Sequence, residues 1–308
     1  MRGLTLIPYD TKIDFVGIRY IVYAFSIMVI VLSLGSLAFK GLNLGIDFKG
    51  GFLIEARMPE KPDLGAMRLT LQALEIGDVK LQEFGSENDL LIRVERQKGD
   101  EQAQAAALQK IKASLGDQVD YRRVETVGAK VSKDLIENGI LAVVFALAGM
   151  LVYIWIRFEW HFGLCGILAL IHDTITVMGF YSVFSFEFND TAFISLLTTI
   201  GYSINDSVVI YDRIRENLRK YKKMSIADII NLSTNETLSR TILTVGTTLT
   251  SLLALCLFGG HVVRSFCIPI LVGIVFGAFS SIFISANLLL FFNIRKNSSP
   301  EKENRLLA

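Results

Sequence analysis

Three cysteines, three histidines and almost no net charge set the first limits on this 308-residue sequence. Cys165, Cys256 and Cys267 lie inside apolar runs, where cysteine behaves as a small hydrophobe rather than as part of a disulfide or metal set. The 31 Lys and Arg against 30 Asp and Glu leave no basic surface for a nucleic acid. We therefore predict no nucleic-acid partner, no metal and no cofactor.

Hydrophobic residues, in contrast, make up 52% of the chain, and the mean hydropathy is +0.47. A helix that crosses the hydrocarbon core of a membrane needs about 20 residues, and six runs are long enough. Four of them are uncharged; the other two carry one acid each, Asp173 and Asp206. The predicted segments are a cytoplasmic N-terminus (1–17), six spans (18–39, 135–157, 162–184, 190–211, 238–259 and 265–294), an outer domain (40–134), a cytoplasmic loop (212–237) and a cytoplasmic tail (295–308).

The distribution of basic residues predicts the orientation of these spans. With the N-terminus inside, the inner segments hold fifteen Lys and Arg, and the short outer loops hold only Arg264. This asymmetry satisfies the positive-inside rule and places both termini in the cytoplasm. The first span has an alternative as a secretory signal, because Ser36, Leu37 and Ala38 offer a cleavage site, but its length favours a retained anchor.

The long segment between the first two spans has the pattern of a small soluble domain. Strands are predicted at about 52–57, 79–84, 90–95 and 119–127, with a turn at 85–89. Asp63 can cap a first helix, and Ala105 to Leu115 predict a second. The order βαββαβ indicates a ferredoxin-like sandwich. The fold class is therefore an α-helical polytopic membrane protein with an inserted α+β periplasmic domain. This domain has no His or Cys, so we do not expect an enzyme active site.

An acid within a spanning helix costs roughly 2.5 to 3.5 kcal/mol on insertion scales, and such acids usually serve a function. A polar stripe is predicted along one face of the helix that carries Asp206, and a second stripe follows Arg240 on the next span. The members are Ser195, Thr199, Tyr202 and Ser203 on the first stripe, and Thr244, Thr247 and Ser251 on the second. Burial favours the neutral acid and a nearby arginine favours the carboxylate, so a site with both can switch its protonation.

Each of these features also has a structural interpretation. The hydroxyl groups can bond to their own backbone or join helices, and Asp206 with Arg240 can form a static ion pair. His172 and Asp173 either extend a proton path or stabilise a contact between helices. Gly273 and Gly277 have GxxxG spacing and predict close helix packing.

Several motifs together resemble the SecF family of the bacterial Sec pathway, within the resistance-nodulation-division superfamily. Residues 45–51 (GIDFKGG) resemble the Gly-Asp-Gly-Gly signature of that family, through Gly45, Asp47, Gly50 and Gly51; Lys49 replaces an expected threonine. The other matching segments are His172-Asp173 and residues 200–207 (IGYSINDS), 212–217 (DRIREN), 237–241 (TLSRT) and 257–260 (LFGG). Without the resemblance, residues 45–51 would indicate a strand-entry turn whose glycines supply positive φ.

The resemblance implies a function for the chain as a whole. It implies a bacterial inner-membrane subunit that pairs with SecD, acts with the SecYEG translocon and YajC in the lipid bilayer, and uses proton flow to help draw unfolded preproteins outward. It also implies that Asp206 and Arg240 serve proton transport, with His172, Asp173, Thr199, Tyr202, Ser203, Thr244 and Thr247 as candidate members of the path. The alternatives are a passive scaffold for the translocon and a small-molecule exporter subunit of the same superfamily. Hydroxyl-rich stripes are also compatible with sodium in place of the proton.

Overall fold

The computed structural model describes residues 11–77, 79–84, 86–97, 101–116, 118–292 and 294–295. In chain order the elements are α1 (Arg19–Phe39), β1 (Asn43–Leu44), α2 (Ile46–Lys49), β2 (Gly51–Arg57), α3 (Leu64–Gln72), β3 (Val79–Phe84), β4 (Ser86–Glu95), α4 (Glu101–Leu115), β5 (Asp120–Val127), α5 (Ala129–Arg157), α6 (Trp160–Val183), β6 (Glu187–Phe188), α7 (Asp190–Lys220), α8 (Ile226–Phe258), α9 (His261–Phe279), a π-helix (Ser280–Ser285), α10 (Ala286–Leu288) and a final 3-10 turn (Leu289–Phe291). Six segments of the described chain are long and apolar enough to cross a membrane. The fold class predicted from the sequence is confirmed.

The helices extend beyond the apolar runs that predict them. Residues 212–237, predicted as a loop, are mostly helical, because α7 continues to Lys220 and α8 begins at Ile226. Ser225 caps α8 by accepting a hydrogen bond from the Asp228 amide at 3.1 Å. Charged residues mark where a helix leaves the apolar layer rather than where it ends.

The six spanning helices form a central set and a peripheral set. Half or more of the apolar segments of α6, α7 and α9 is buried within the chain, against less than a fifth for α1, α5 and α8. The peripheral helices α1, α5 and α8 therefore present most of their apolar surface to lipid or to another membrane protein.

The close packing predicted for Gly273 and Gly277 is confirmed, and the partner helix is α7. A Cβ atom at Gly273 would lie 1.9 Å from Thr199 Oγ1, and one at Gly277 would lie 3.0 Å from Ser203 Cβ. Small residues let two helices approach until their backbones nearly touch. The α7 and α9 helices are therefore fixed against each other at the level of the polar stripe.

This packing predicts that Gly273→Ala destabilises the bundle. Overpacking of this kind costs about 1–3 kcal/mol, which should lower the thermal unfolding midpoint measured in detergent. The matched control is Gly201→Ala on α7, since a Cβ atom there meets nothing within 4 Å. Equal midpoints for the two variants would contradict the packing.

The soluble domain is a four-stranded antiparallel sheet with strand order β3-β4-β2-β5, covered on one face by α3 and α4. This order, with the βαββαβ sequence of elements, is the predicted ferredoxin-like topology. Alternate residues of the central strands face the helices, among them Phe52, Ile54, Ile92 and Val94, which are fully buried. Asp63 caps α3 as predicted, accepting from the Gly65 amide at 2.8 Å. Strand β4 begins at Ser86, so the predicted turn at 85–89 is largely strand.

An ion pair between the exposed Arg57 and the largely buried Asp89 makes the stability of this domain depend on pH. Arg57 donates to both carboxylate oxygens of Asp89 at 2.7 and 2.9 Å. These hydrogen bonds hold the pKa of Asp89 well below its ordinary value. A depressed pKa contributes stability above the unfolded value of about 3.9, and that contribution is lost as the pH falls.

We therefore expect Asp89→Asn to lower the protection of the β2 and β4 amides from hydrogen exchange at neutral pH, and to lose less of that protection than the wild type as the pH falls. Glu87→Gln is the control, because its ion pair with Lys61 is exposed and such pairs contribute about 0–1 kcal/mol. Identical pH profiles for wild-type and Asp89→Asn chains would overturn the assignment.

Candidate functional site

A ladder of buried polar side chains runs along α7 at every fourth position. Ser195, Thr199, Ser203, Ser207 and Tyr211 are all almost fully buried. Neighbours at this spacing differ by about 40° around the helix, so they form one inward-facing line. The predicted stripe is therefore real for Ser195, Thr199 and Ser203, and it continues beyond Asp206.

Asp173 of α6 is the centre of this polar interior. The carboxyl is fully buried and accepts hydrogen bonds on Oδ2 from Ser203 Oγ at 2.6 Å and Ser280 Oγ at 2.7 Å. Its Oδ1 lies 3.0 Å from His172 Nδ1. The group thus joins α6, α7 and the π-helix, which supports the interpretation as a contact between helices. The same three neighbours could exchange a proton with the carboxyl.

The π-helix that follows α9 directs three serines into the same interior. Ser281 Oγ donates to the Ser203 carbonyl at 2.9 Å and lies 2.9 Å from Ser207 Oγ. Ser285 Oγ lies 2.6 Å from the Tyr211 hydroxyl. A π-helix inserts an additional residue into the turn and is frequent at functional sites. Here it brings the serines into line with α7.

Asp206 lies beside this ladder and is only 6% exposed. The carboxyl makes no hydrogen bond and no ion pair with any residue that the structure describes. The positive charge of Arg240 acts on the Asp206 carboxyl, but the guanidinium lies beyond ion-pair distance of it. Arg240 itself is exposed. The predicted contact between the two is therefore absent from this state, which leaves a nearly buried acid without a direct partner.

Three predicted members of the path do not join this interior. Tyr202 is 37% exposed and points away from the buried ladder. Thr244 donates to the Arg240 carbonyl at 2.9 Å, and Thr247 donates to the Thr244 carbonyl at 2.9 Å. The threonines of α8 thus satisfy their own helix backbone, which is the structural alternative for that stripe. Tyr202 therefore lies outside the buried ladder, although it is only about 40° from Asp206 around α7, and its place on the path stays a prediction.

The turn at residues 45–51 contacts the first residue of α7, which lies about 24 Å along that helix from Asp206. Gly50 and Gly51 have φ of 73° and 125°, which confirms the positive φ expected of a strand-entry turn. Asp47 accepts a hydrogen bond from the Asp190 amide at 3.3 Å. Burial raises the pKa of Asp47; the hydrogen bond from the Asp190 amide opposes this shift, and the negative charge of Asp190 adds to it.

Sequence reasoning did not assign Ser280 to the site. Ser280, Ser281 and Ser285 occur together in an apolar span, and that concentration of hydroxyls was the available signal. The α-helical period did not predict their direction, because a π-helix changes it. Among the residues that the structure describes, there is no group of three or more His, Cys, Asp or Glu side chains that could hold a metal ion.

These features define a multi-pass membrane protein with an inserted α+β domain and carboxyl groups inside the bundle, and comparisons with known proteins give its family. The model for "Protein export membrane protein SecD/SecF, C-terminal" matches residues 107–295, and the SecD/SecF GG motif matches residues 35–58. Protein translocase subunit SecF of Rickettsia felis is 50% identical over 95% of this chain and 96% of its own. SecF of Rickettsia bellii is 49% identical over 95% of this chain and 97% of its own. The chain belongs to the SecF family of protein translocase subunits, so it is a multi-pass protein of a bacterial membrane.

A solved structure supports the same assignment. The crystal structure of SecDF, a translocon-associated membrane protein from Thermus thermophilus, matches with a TM-score of 0.82 at 35% identity. The match covers 94% of this chain and 40% of that one, so this chain spans about two fifths of the length of that SecDF. The resemblance drawn from residues 45–51 and from the fourth and fifth spans is confirmed.

Proposed function

We propose that this chain pairs with SecD and uses proton flow across the inner membrane to assist preprotein export through SecYEG, with release on the outer side. Asp206 takes up and gives off the proton, and Arg240 sets which form is favoured. YajC is a further partner, and the lipid bilayer surrounds α1, α5 and α8. Both termini lie in the cytoplasm, because fifteen basic residues on that side face one, Arg264, in the short outer loops.

The observation that carries this proposal is the isolation of the Asp206 carboxyl. An ionised acid in a medium of low dielectric is stable only with a partner, and none of the described residues is a direct partner of Asp206. A small approach or retreat of Arg240 therefore changes the stability of the ionised form strongly. This combination suits a group that changes protonation state during a cycle.

The energy available is sufficient for such a role. One proton that crosses a potential of about 150 mV supplies roughly 3.5 kcal/mol. That energy shifts a conformational equilibrium several hundredfold. A single titrating carboxyl per chain is therefore enough to drive a change of shape in the outer domain.

Asp173 and His172 provide a second station beside the ladder, at the level of Ser203. Ser203 joins the two acids spatially, since it bonds to Asp173 and lies one helical turn before Asp206. Proton transfer through this station requires its hydroxyl donors to reorient, which serine side chains do readily. Thr199 continues the ladder outward.

Collapse of the proton gradient tests the proposal. In membrane vesicles that contain the complex, the part of preprotein translocation that depends on this chain should vanish when an ionophore removes the gradient. A scaffold would keep its full contribution under the same conditions. If the contribution follows a sodium gradient instead, the coupling ion is sodium and the assignment of the proton is wrong. If the chain protects cells from drugs while protein export is normal, the small-molecule exporter is favoured.

A further inference from the structure

The proposed function gives no role to the turn at residues 45–51, although this turn contacts α7, the helix that carries Asp206. Strand β1 directly precedes the turn and pairs in parallel with β6, which directly precedes α7. The Gly45 amide adds a hydrogen bond to the Phe188 carbonyl at 2.9 Å. The exit from α1 and the entrance to α7 are therefore held together.

Asp47 caps the first turn of α7 from outside that helix. Its Oδ2 accepts from the Asp190 amide, which lies 143 positions later in the chain. The N-cap residue Asn189 does not cap the helix with its own side chain. A carboxylate at a helix N-terminus satisfies a free amide and interacts favourably with the helix dipole. Asp47 thus supplies the cap that α7 lacks locally.

A second contact attaches the sheet of the outer domain to the same place. Arg93 of β4 forms an ion pair with Glu187 of β6, and the two side chains are only 17% and 19% exposed. Loss of one partner from such a pair leaves the other charge buried and unpaired. Arg93 therefore holds Glu187, just before α7, and Asp47 holds Asp190, the first residue of α7.

The glycines of the turn make these contacts sterically possible. A Cβ atom at Gly45 would lie 2.8 Å from Glu187 Oε1, and one at Gly51 would lie 2.1 Å from the Val94 carbonyl oxygen. Lys49, in contrast, points to an exposed ion pair with Glu95 on the domain surface. This explains why lysine is tolerated at a position where threonine is expected.

The α7 helix connects this attachment to the proposed proton site without interruption. It runs from Asp190 to Lys220, and Asp206 lies about 24 Å along it from Asp190. A continuous helix without an internal proline or π-bulge moves largely as a unit. Movement at Asp206 therefore reaches Asp47 and Glu187 directly.

We propose that Asp47 and the Arg93–Glu187 pair form a joint that transmits movement of α7 to the outer domain. Asp47, Arg93 and Glu187 are positioning residues; they carry no proton in this account. The charged groups that face Asp47 are Asp190 of α7, Arg123 and Glu125 of β5, and Glu187 of β6. The attachment of the domain to α7 follows from the contacts of Asp47, Arg93 and Glu187 alone. The transfer of movement from α7 to the domain rests on the proposed function.

The test compares two substitutions of Asp47 in the full chain reconstituted with SecD. Asp47→Ala removes the acceptor, whereas Asp47→Asn keeps an oxygen that can accept from the Asp190 amide. We expect Asp47→Ala to speed hydrogen exchange in the first turn of α7 and to lower gradient-stimulated translocation at least about fivefold. Asp47→Asn should stay near wild type in both measurements.

A charge exchange tests the second contact. Arg93→Glu and Glu187→Arg should each lower stimulated translocation, and the double variant should restore it, because the ion pair re-forms with reversed polarity. Lys61→Glu is the control, since its pair with Glu87 is exposed and lies within the domain.

Two results would overturn the joint: unchanged exchange at the start of α7 in Asp47→Ala, or a double variant as inactive as the single ones. Failure of the proposed function is separate, because it would appear as full stimulation in an Asp206 variant while the exchange results at Asp47 persist.

Discussion

Replacement of Asp206 by Asn is expected to remove the gradient-stimulated part of preprotein translocation while the chain still assembles with SecD. Asparagine has nearly the same shape but cannot take up or release a proton at this position. A proton worth roughly 3.5 kcal/mol changes a conformational equilibrium several hundredfold, so we expect stimulation to fall by at least about tenfold. The measurement is the translocation rate in vesicles with and without a proton gradient.

Asp212→Asn is the matched control for this experiment. Asp212 lies on the same helix, but it forms an exposed ion pair with Arg157 at 2.8 Å. Exposed pairs of this kind contribute about 0–1 kcal/mol to stability, so the variant should translocate as the wild type does. A full response to the gradient in Asp206→Asn would show that this carboxyl does not couple the two processes.

The second large effect is expected at Asp173. Asp173→Ala removes the acceptor of two serine hydroxyl groups and the neighbour of His172 Nδ1. Hydrogen bonds between membrane helices average about 0.6 kcal/mol each, so the loss of the two serine bonds lowers stability by roughly 1 kcal/mol before the cost of the unpaired groups is added. The thermal midpoint in detergent should fall clearly.

Asp173→Asn separates the structural contribution from a role in proton movement. The amide keeps an acceptor oxygen, and the serines can turn to accept from its NH2 group, so the midpoint should lie close to that of the wild type. If Asp173 is a proton station, stimulated translocation nevertheless falls. A stable Asp173→Asn chain with full stimulation would reduce Asp173 to a contact between α6, α7 and the π-helix.

The predicted fold agrees with the structure where the physical signal is local. Apolar runs with at most one acid identified six spans, and Asp63 identified the start of α3. The limits of α7 and α8 were not predictable from hydrophobicity, because the end of α7 and the start of α8 are polar and are held by helix contacts and by the Ser225 cap. The strand β4 extends through Ser86 because pairing with β3 on one side and β2 on the other overrides its turn-forming residues.

The predicted site agrees with the structure in part for a similar reason. Helical spacing placed Ser195, Thr199 and Ser203 on one buried face, because that face follows from the α-helix alone. Spacing did not predict that Asp173 and Ser203 meet, since that contact depends on how two helices pack. It also could not give the distance from Asp206 to Arg240 or the outward direction of Thr244 and Thr247, which depend on the rotation of α8.

The central claim is that the carboxyl at position 206 changes its protonation during the working cycle. Infrared difference spectroscopy of the reconstituted complex, recorded as a proton gradient is imposed, measures this directly through the C=O stretch of a protonated acid. We predict a carboxyl band that appears and disappears with the gradient and is absent from the Asp206→Asn variant. A spectrum without such a change, or a band that persists in that variant, would contradict the account.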